Sequence, residues 1–423
     1  MSTSNPPKVP MSYPDLTDND RQGMQTALRQ AGLPEDDLRS VLKVLDGPNL
    51  SMGPQIAAFE KYFCDYTGAK HAIGVNSGTA GLHLCVRAAG IQSGDWVLTT
   101  PFSFVASTNV LLFENAVPVF VDVDERTGNV DMARFAEAAR DLATGGQKAQ
   151  KWLPRTGIVE TKHASSPSRL KAFLPVDVFG QPPDMDAIRS LANGFGVAVI
   201  EDSCEALGSE YKGRKAGRLG DYGVYAFYPN KQITTGEGGV IVTDDDRAAN
   251  FMRALRNQGR APGDTWLQHT FMGYNYRLDE MSAALGVTQM QRIEELLAKR
   301  EQVAKWYDER LAEVPGLGTY AVEPSTTRMS WFVYVIKFAE GIDRDAAARA
   351  LEAAGIPVRP YFAPIHLQPY MVERFGYRAG DFPVTEDLGR RGLAIPFSSV
   401  MTEKMVEQVC QAIRTVLQSL PKP

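Results

Sequence analysis

The chain of 423 residues has only four cysteines, Cys64, Cys85, Cys204 and Cys410, and no two of them form a CxxC pair. That spacing excludes a disulfide framework and a thiolate zinc site, and no metal centre is expected. A reducing compartment, the cytoplasm, fits this cysteine usage. The sequence also lacks any run of about 18 apolar residues, and its polar, proline-containing start, Met1 to Pro10, carries no apolar export segment. The expectation is a protein that neither spans a membrane nor leaves the cell. Positive charge is not in excess either: 45 Lys and Arg stand against 50 Asp and Glu, a net charge of -5. DNA or RNA binding rests on phosphate neutralisation, so nucleic acid is not an expected partner.

What the chain does have is the balance of a globular protein, 44% hydrophobic and 22% charged. Its length exceeds one ordinary core and predicts one large and one smaller domain. From about Gly53 helical and strand-like stretches alternate, which implies an α/β fold with a mostly parallel sheet flanked by helices. Strands are predicted at His71–Val75, Trp96–Thr99, Val117–Val121, Phe173–Val176, Val197–Ile200, Gly223–Phe227 and Gly239–Val242, with helices at Thr79–Ala89 and Ser103–Asn115. Several are unbroken apolar runs, as strands covered on both sides should be. Ala283–Leu311 reads as one long helix with a charged face, bridging to a smaller C-terminal α+β domain. That domain contains a strand at Trp331–Phe338 and helices at Arg344–Ala354 and Glu403–Leu417. The resulting division is an N-terminal segment 1–52, a large domain 53–295 and a small domain 296–423. Asp20–Leu45 looks helical but precedes the large domain. The stretch 145–171 has no clear period and reads as a mobile surface insertion, with Lys148, Lys151, Arg155, Lys162 and Arg169 forming a solvated face.

The chemistry gathers around Tyr228-Pro229-Asn230-Lys231 and the glycine-framed run Thr235-Gly236-Glu237-Gly238-Gly239, about thirty residues after a strand ending in Glu201-Asp202. A lysine in such a loop and a carboxylate at the end of a buried strand are the pair that pyridoxal phosphate chemistry needs: an amine to condense with the aldehyde, an acid to keep the pyridine nitrogen protonated. Open α/β sheets place ligands at the carboxyl ends of their strands, where Asp202 falls. Periodicity alone leaves open whether Glu201 or Asp202 points inward. Asn76-Ser77-Gly78-Thr79-Ala80-Gly81 joins a strand to a helix start, where free amides and the helix dipole suit a phosphate, although an ordinary Ser or Thr cap explains the same residues. Phe102 or Phe104, after another strand end, could stack on a ring or fill the core. His366, in a proline-punctuated loop, is a candidate substrate contact or a structural hydrogen-bonding group. Arg277 and Arg359 have guanidinium groups suited to a carboxylate or diphosphate, and surface ion pairs explain them as well.

The order of these motifs, with Gly53-Pro54 through Phe59-Glu60, Gly273-Tyr274-Asn275-Tyr276-Arg277 and Pro364-Ile365-His366, resembles the DegT-type sugar aminotransferases, fold-type-I pyridoxal phosphate enzymes related to aspartate aminotransferase. The resemblance implies that Lys231 is the Schiff-base lysine, that Asp202 rather than Glu201 pairs with the pyridine nitrogen, that Phe104 stacks on the ring, and that Gly78, Thr79 and Ala80 surround the phosphate. It further implies an obligate homodimer with shared active sites, in which Asn275, or less directly Arg277, reaches the neighbouring subunit's cofactor phosphate. Two positions depart from the family pattern. Glu205 stands where a Gln often contacts the cofactor's ring hydroxyl oxygen, and Ala226 stands where a serine often donates to the phosphate.

The implied reaction carries an amino group from an amino acid, L-glutamate, to a keto group of a nucleotide-linked sugar. Transamination of a cyclitol or another non-sugar ketone is an alternative. A pyridoxal phosphate-dependent sugar dehydratase is another, but such enzymes resemble this chain less because they carry histidine where it has Lys231. A regulator that has lost catalysis is disfavoured by retention of both Lys231 and Asp202.

Overall fold

The apolar runs assemble into a central seven-stranded sheet. The computed structural model describes residues 16–30, 32–157 and 169–420. The strands are β1 (His71–Val75), β2 (Trp96–Thr99), β3 (Val117–Phe120), β4 (Leu170–Phe173), β5 (Ala198–Asp202), β6 (Tyr222–Ala226) and β7 (Gly239–Thr243). Their spatial order is β1-β7-β6-β5-β4-β2-β3. Neighbours from β6 through β3 run parallel. β7 is antiparallel to both β6 and β1. Two reversals cancel, so β1 points the same way as β5 and β6, and the chain leaves β1, β2, β5 and β6 at one common edge. Apolar cores lie on both faces of this sheet, with Val97, Ile200 and Val224 in one and Leu98, Phe173 and Val199 in another. This is the arrangement that continuous apolar strands require.

A second sheet of four antiparallel strands forms the smaller C-terminal α+β unit, with Tyr334–Phe338 and Gly392–Ile395 at its centre. The helix Glu403–Ser419 lays Val406, Val409, Cys410, Ile413 and Val416 against it. The two units are not separated by solvent, since Val335, Phe362, Leu388 and Ala394 belong to the same apolar cluster as the large sheet's Ile200 and Val224.

Several boundaries differ from the sequence reading for identifiable reasons. β4 begins at Leu170 rather than Phe173, because Leu170, Ala172 and Phe173 pair with β2; Pro175, lacking an N–H, interrupts the ladder, which resumes as a single bridge of Val176 to Asp202 of β5. Leu170 and Lys171 therefore belong to the sheet and not to an insertion. The preceding stretch is anchored too: Ala149 is buried, Lys151 pairs with Glu137 and Asp141, and Arg155 binds Asp381 through two hydrogen bonds of 2.6 and 2.8 Å. Lys151 and Arg155 of the basic face expected there are thus ion-paired, and Lys162 lies outside the described residues. The long helix is two, Glu280–Gln291 and Ile293–Leu311. They meet at Arg292, whose backbone leaves the helical region (φ -111°, ψ 14°) while its guanidinium binds the buried Asp37 at 2.9 Å. The stretch expected to be helical over Asp20–Leu45 is likewise two helices, Asp18–Gln30 and Glu35–Val44, broken near Gly32 (φ 77°) and Pro34. Ser103–Asn115 is helical only over Ala106–Phe113. The strand expected from Trp331 starts at Tyr334, because Trp331 adopts a left-handed φ of 52° and its carbonyl is taken by Arg300.

Candidate active site

Four loops leave the common sheet edge and enclose one cavity of about 500 Å³, a size suited to a small organic ligand. Ser77, Gly78 and Thr79 follow β1, Ser103 and Phe104 follow β2, Asp202, Cys204 and Glu205 end β5, and Lys231 lies in the connection between β6 and β7.

Strand alternation divides Glu201 from Asp202. Glu201 is fully buried and accepts hydrogen bonds from the backbone amides of Gly217, Leu219 and Gly220, at 2.8, 2.8 and 3.0 Å. Asp202 lines the cavity instead. Its Oδ2 accepts from Ser107 Oγ at 2.7 Å and its Oδ1 from the Cys204 amide at 3.2 Å. Ser107 in turn accepts from Ser103 Oγ at 2.9 Å, so a chain of hydroxyls holds the carboxylate in place.

The lysine loop is built by backbone turns and one buried cation. Phe227 N–H donates to Gly238 O at 3.0 Å, closing the connection, and Lys231 N–H donates to Tyr228 O at 2.9 Å. Gly236 supplies a left-handed turn, φ 80°. Gly239 is required for close approach, since a Cβ there would lie 2.8 Å from the Ser77 carbonyl; this contact sets the lysine loop against the helix Gly78–Ala88. Arg300 Nη2 donates to the Asn230 and Lys231 carbonyls at 3.3 and 2.5 Å, and its Nη1 to those of Trp331 and Phe332, both at 3.2 Å. Burial lowers the Arg300 pKa to about 10. The side chain of Lys231 projects into the cavity with Nζ 3.8 Å from the Phe332 ring centroid and 3.8 Å from Glu205 Oε1.

Glu205 is held from two sides: Oε2 accepts from the Phe179 amide at 3.0 Å, and its carbonyl accepts from Gln232 Nε2 at 2.6 Å. Burial pushes its carboxyl up to about 7, with Lys231 and the Phe179 amide opposing the rise. The same cause raises the neighbouring Asp177 and the Cys204 thiol.

The cavity fits pyridoxal phosphate on the donor set it presents. At the helix start, Ser77 Oγ accepts from the Ala80 amide at 3.1 Å, whereas the first-turn amides of Gly78 and Thr79 have no intrahelical acceptor and belong to residues on the cavity wall. An amine and a carboxylate for the ring, and a helix N-terminus for an anion, thus share one space. Phe104, 63% exposed, stands on the cavity wall while Phe102 is fully buried in the core, which separates two aromatics that the sequence left equivalent.

Other candidates fall outside the cavity. Ala80 is not on its wall, and its amide is consumed by the Ser77 cap. His366 is buried against Phe382 and bonded to Glu386 at 3.0 Å, so it is placed as a structural group and not as a substrate contact. Arg359 lies on the surface, 3.4 Å from Glu352. Arg277 donates to Asn257 Oδ1 at 3.0 Å, and Asn275 is exposed beside Asn76, whose Nδ2 donates to its carbonyl at 3.4 Å. Sequence reasoning missed Ser107, Arg300, Phe332 and Tyr361. Only Ser107 carried a signal, as a hydroxyl four residues after Ser103 at the start of the helix Ala106–Phe113.

Residues 32–414 match the model of the DegT/DnrJ/EryC1/StrS aminotransferase family. The chain belongs to this family. It is therefore a pyridoxal phosphate-dependent aminotransferase of the fold-type-I architecture. It is 39% identical to GDP-perosamine synthase of Caulobacter vibrioides over 369 residues, covering 87% of this chain and 91% of that protein. It is 33% identical to the spore coat polysaccharide biosynthesis protein SpsC of Bacillus subtilis, over 90% of this chain and 95% of the relative. Among solved structures, DesV of S. venezuelae in complex with a ketimine intermediate superposes with a TM-score of 0.78 at 30% identity, covering 94% and 96% of the two chains.

Proposed function

We propose that this aminotransferase takes the amino group of L-glutamate and delivers it to a keto group of a nucleotide-linked sugar. The observation that carries the reading is the convergence of Lys231, Asp202 and the Ser77–Thr79 helix start on one cavity. The acceptor class draws on two relatives, one named GDP-perosamine synthase and one assigned to spore coat polysaccharide biosynthesis.

In this reading Lys231, Asp202, Glu205, Phe104, Gly78 and Thr79 hold the cofactor. Bound there, pyridoxal phosphate supplies an electron-accepting ring and an aldehyde carbon that carries nitrogen from donor to acceptor. Asp202, whose oxygens accept from Ser107 and the Cys204 amide, would pair with the ring nitrogen. The amine of Lys231 would hold the aldehyde and, as a free amine, would move a proton at the carbon that gains or loses nitrogen. The amides of Gly78 and Thr79 meet the phosphate dianion at the positive end of the helix dipole. Phe104 covers one face of the ring. Phe332 and the Arg300-held backbone limit the directions open to Lys231.

Asn275 lies outside its own subunit's cavity, and we assign it to the cofactor phosphate of a second copy in a homodimer. The whole assembly is read as a cytoplasmic enzyme.

The test supplies the purified protein with pyridoxal phosphate, glutamate labelled with heavy nitrogen and a GDP-linked keto sugar, and reads the sugar product by mass spectrometry. Label on the sugar is the expected result. Conversion of the cofactor by glutamate without labelled sugar, followed by labelled product from a keto-cyclitol, would replace the acceptor class and leave the aminotransferase intact.

A further inference from the structure

Glu205 introduces a second carboxyl into a cavity that already has Asp202 for the ring. Its surroundings identify what it faces. Lys231 is the cation on one side, with Nζ 3.8 Å from Oε1. On the other sides stand two carboxyls, Asp202 and the fully buried Asp177. The phenol of Tyr361 and the thiol of Cys204 complete the titratable groups around it. The carboxyl cannot swing away to solvent, because Phe179 N–H holds Oε2 and the side chain is only 9% exposed. Phe179 presents that amide from a left-handed conformation, φ 58°, with its ring stacked on Phe362.

We propose that Glu205 is the proton partner of Lys231, exchanging one proton with the lysine amine so that the pair alternates between ammonium with carboxylate and neutral amine with carboxylic acid. In the exchange an Nζ–H bond breaks, an Oε1–H bond forms, and the lysine keeps the electron pair it needs to attack a carbonyl. A distance of 3.8 Å is ion-pair range but longer than a hydrogen bond, so rotation about the terminal lysine bonds, or one intervening water, closes the gap. An ordinary glutamate is too weak a base to take this proton from an ordinary lysine, because their pKa values differ by about six units. Burial narrows that difference by moving Glu205 up to about 7. Glu205 acts through Lys231 and is in that sense a positioning residue. The inference rests on the cofactor reading above and adds a control on the charge of its central amine.

The experiment uses the full chain, freed of cofactor, and measures acetylation of Lys231 by acetic anhydride as a function of pH, read by peptide mass spectrometry. In the unaltered protein two macroscopic steps are expected, one near the Glu205 titration and one for the amine. In Glu205→Gln the lower step disappears. The amine then loses its neighbouring negative charge, and labelling at neutral pH rises about tenfold. Glu205→Asp, which restores a carboxylate, should bring back the two-step profile. A single step in the unaltered protein, or coincident profiles for it and Glu205→Gln, would overturn the inference; the first of these requires no variant to fold. A separate arm adds pyridoxal phosphate and borohydride. If no cofactor is trapped on Lys231, the functional reading falls; if it is trapped while the profiles coincide, only the role of Glu205 falls.

Discussion

Two adjacent acids on opposite faces of strand β5 meet different surroundings. Glu201 and Asp202 are both buried carboxyls. Glu201 meets three backbone amides and serves to fix the turn at Gly217–Gly220. Asp202 meets one hydroxyl and one amide, with the rest of its surroundings open to the cavity. A carboxylate whose acceptor sites are filled by the fold is structural; one left with capacity facing a cavity is available to a ligand. Chemistry of the side chain does not distinguish them, but the count of donors does.

Substitutions can break this comparison. The largest effect belongs to Lys231→Ala, which should leave secondary structure by circular dichroism unchanged and reduce amino transfer by at least about a thousandfold, consistent with loss of a nucleophile and proton carrier. Near-normal turnover would remove Lys231 from the centre of the site. Glu201→Ala should unfold the protein at markedly lower denaturant, by on the order of 3 to 5 kcal/mol, because three buried amides lose their acceptor. Asp202→Asn should show the opposite pattern, with transfer down about a hundredfold and stability lowered far less than in Glu201→Ala. Equal destabilisation by the two would erase the distinction between the faces.

The pH dependence of stability sharpens the same contrast. Glu201 and Glu205 are both raised to about 7 by burial. The folded state therefore holds their protons after the unfolded chain has released them. Stability should fall as pH rises from the ordinary glutamate range through about 7, and level off above it. Glu205→Gln should flatten part of that decline and be more stable than the unaltered protein at pH 8 by about 2 kcal/mol in urea unfolding. The smallest effect is Ser107→Ala. Removing one hydroxyl from Asp202 should cost about 1 to 2 kcal/mol of stability and weaken cofactor retention, measured by equilibrium dialysis.

The strands, and the loops that follow them, were legible because unbroken apolar runs have few alternatives in an α/β chain. Lys231 and Asp202 could be singled out because the loop chemistry around them is local: glycines, a proline and a strand end lie within a few residues. Arg300 could not. Its acceptors are carbonyls at Asn230, Lys231, Trp331 and Phe332, all at least 31 residues away, and carbonyls carry no signature in sequence. Glu280 was hidden for a similar reason. It opens its own helix but accepts hydrogen bonds from Gly53, Gln55 and Ile56, more than 220 residues away, and so caps the helix Pro54–Thr67. His366 stayed open between a substrate contact and a structural hydrogen bond, because the sequence does not show the packing of Phe382 and Tyr377 or the bond to Glu386 that fit the second reading.

The amino-acid order by itself determined the α/β alternation, the lysine loop and the carboxyl-terminal placement of the acid pair, since each follows from patterns a few residues long. Residue patterns left open which acid faces the cavity and which phenylalanine stands on its wall, points on which the family resemblance gave an expectation; tertiary structure supplies the physical reason for both and alone decided how Glu205 comes to lie against Lys231. Those outcomes depend on strand twist, sheet order and the donors that distant segments bring to each carboxyl. They are set by packing in three dimensions, where sequence separation no longer measures distance.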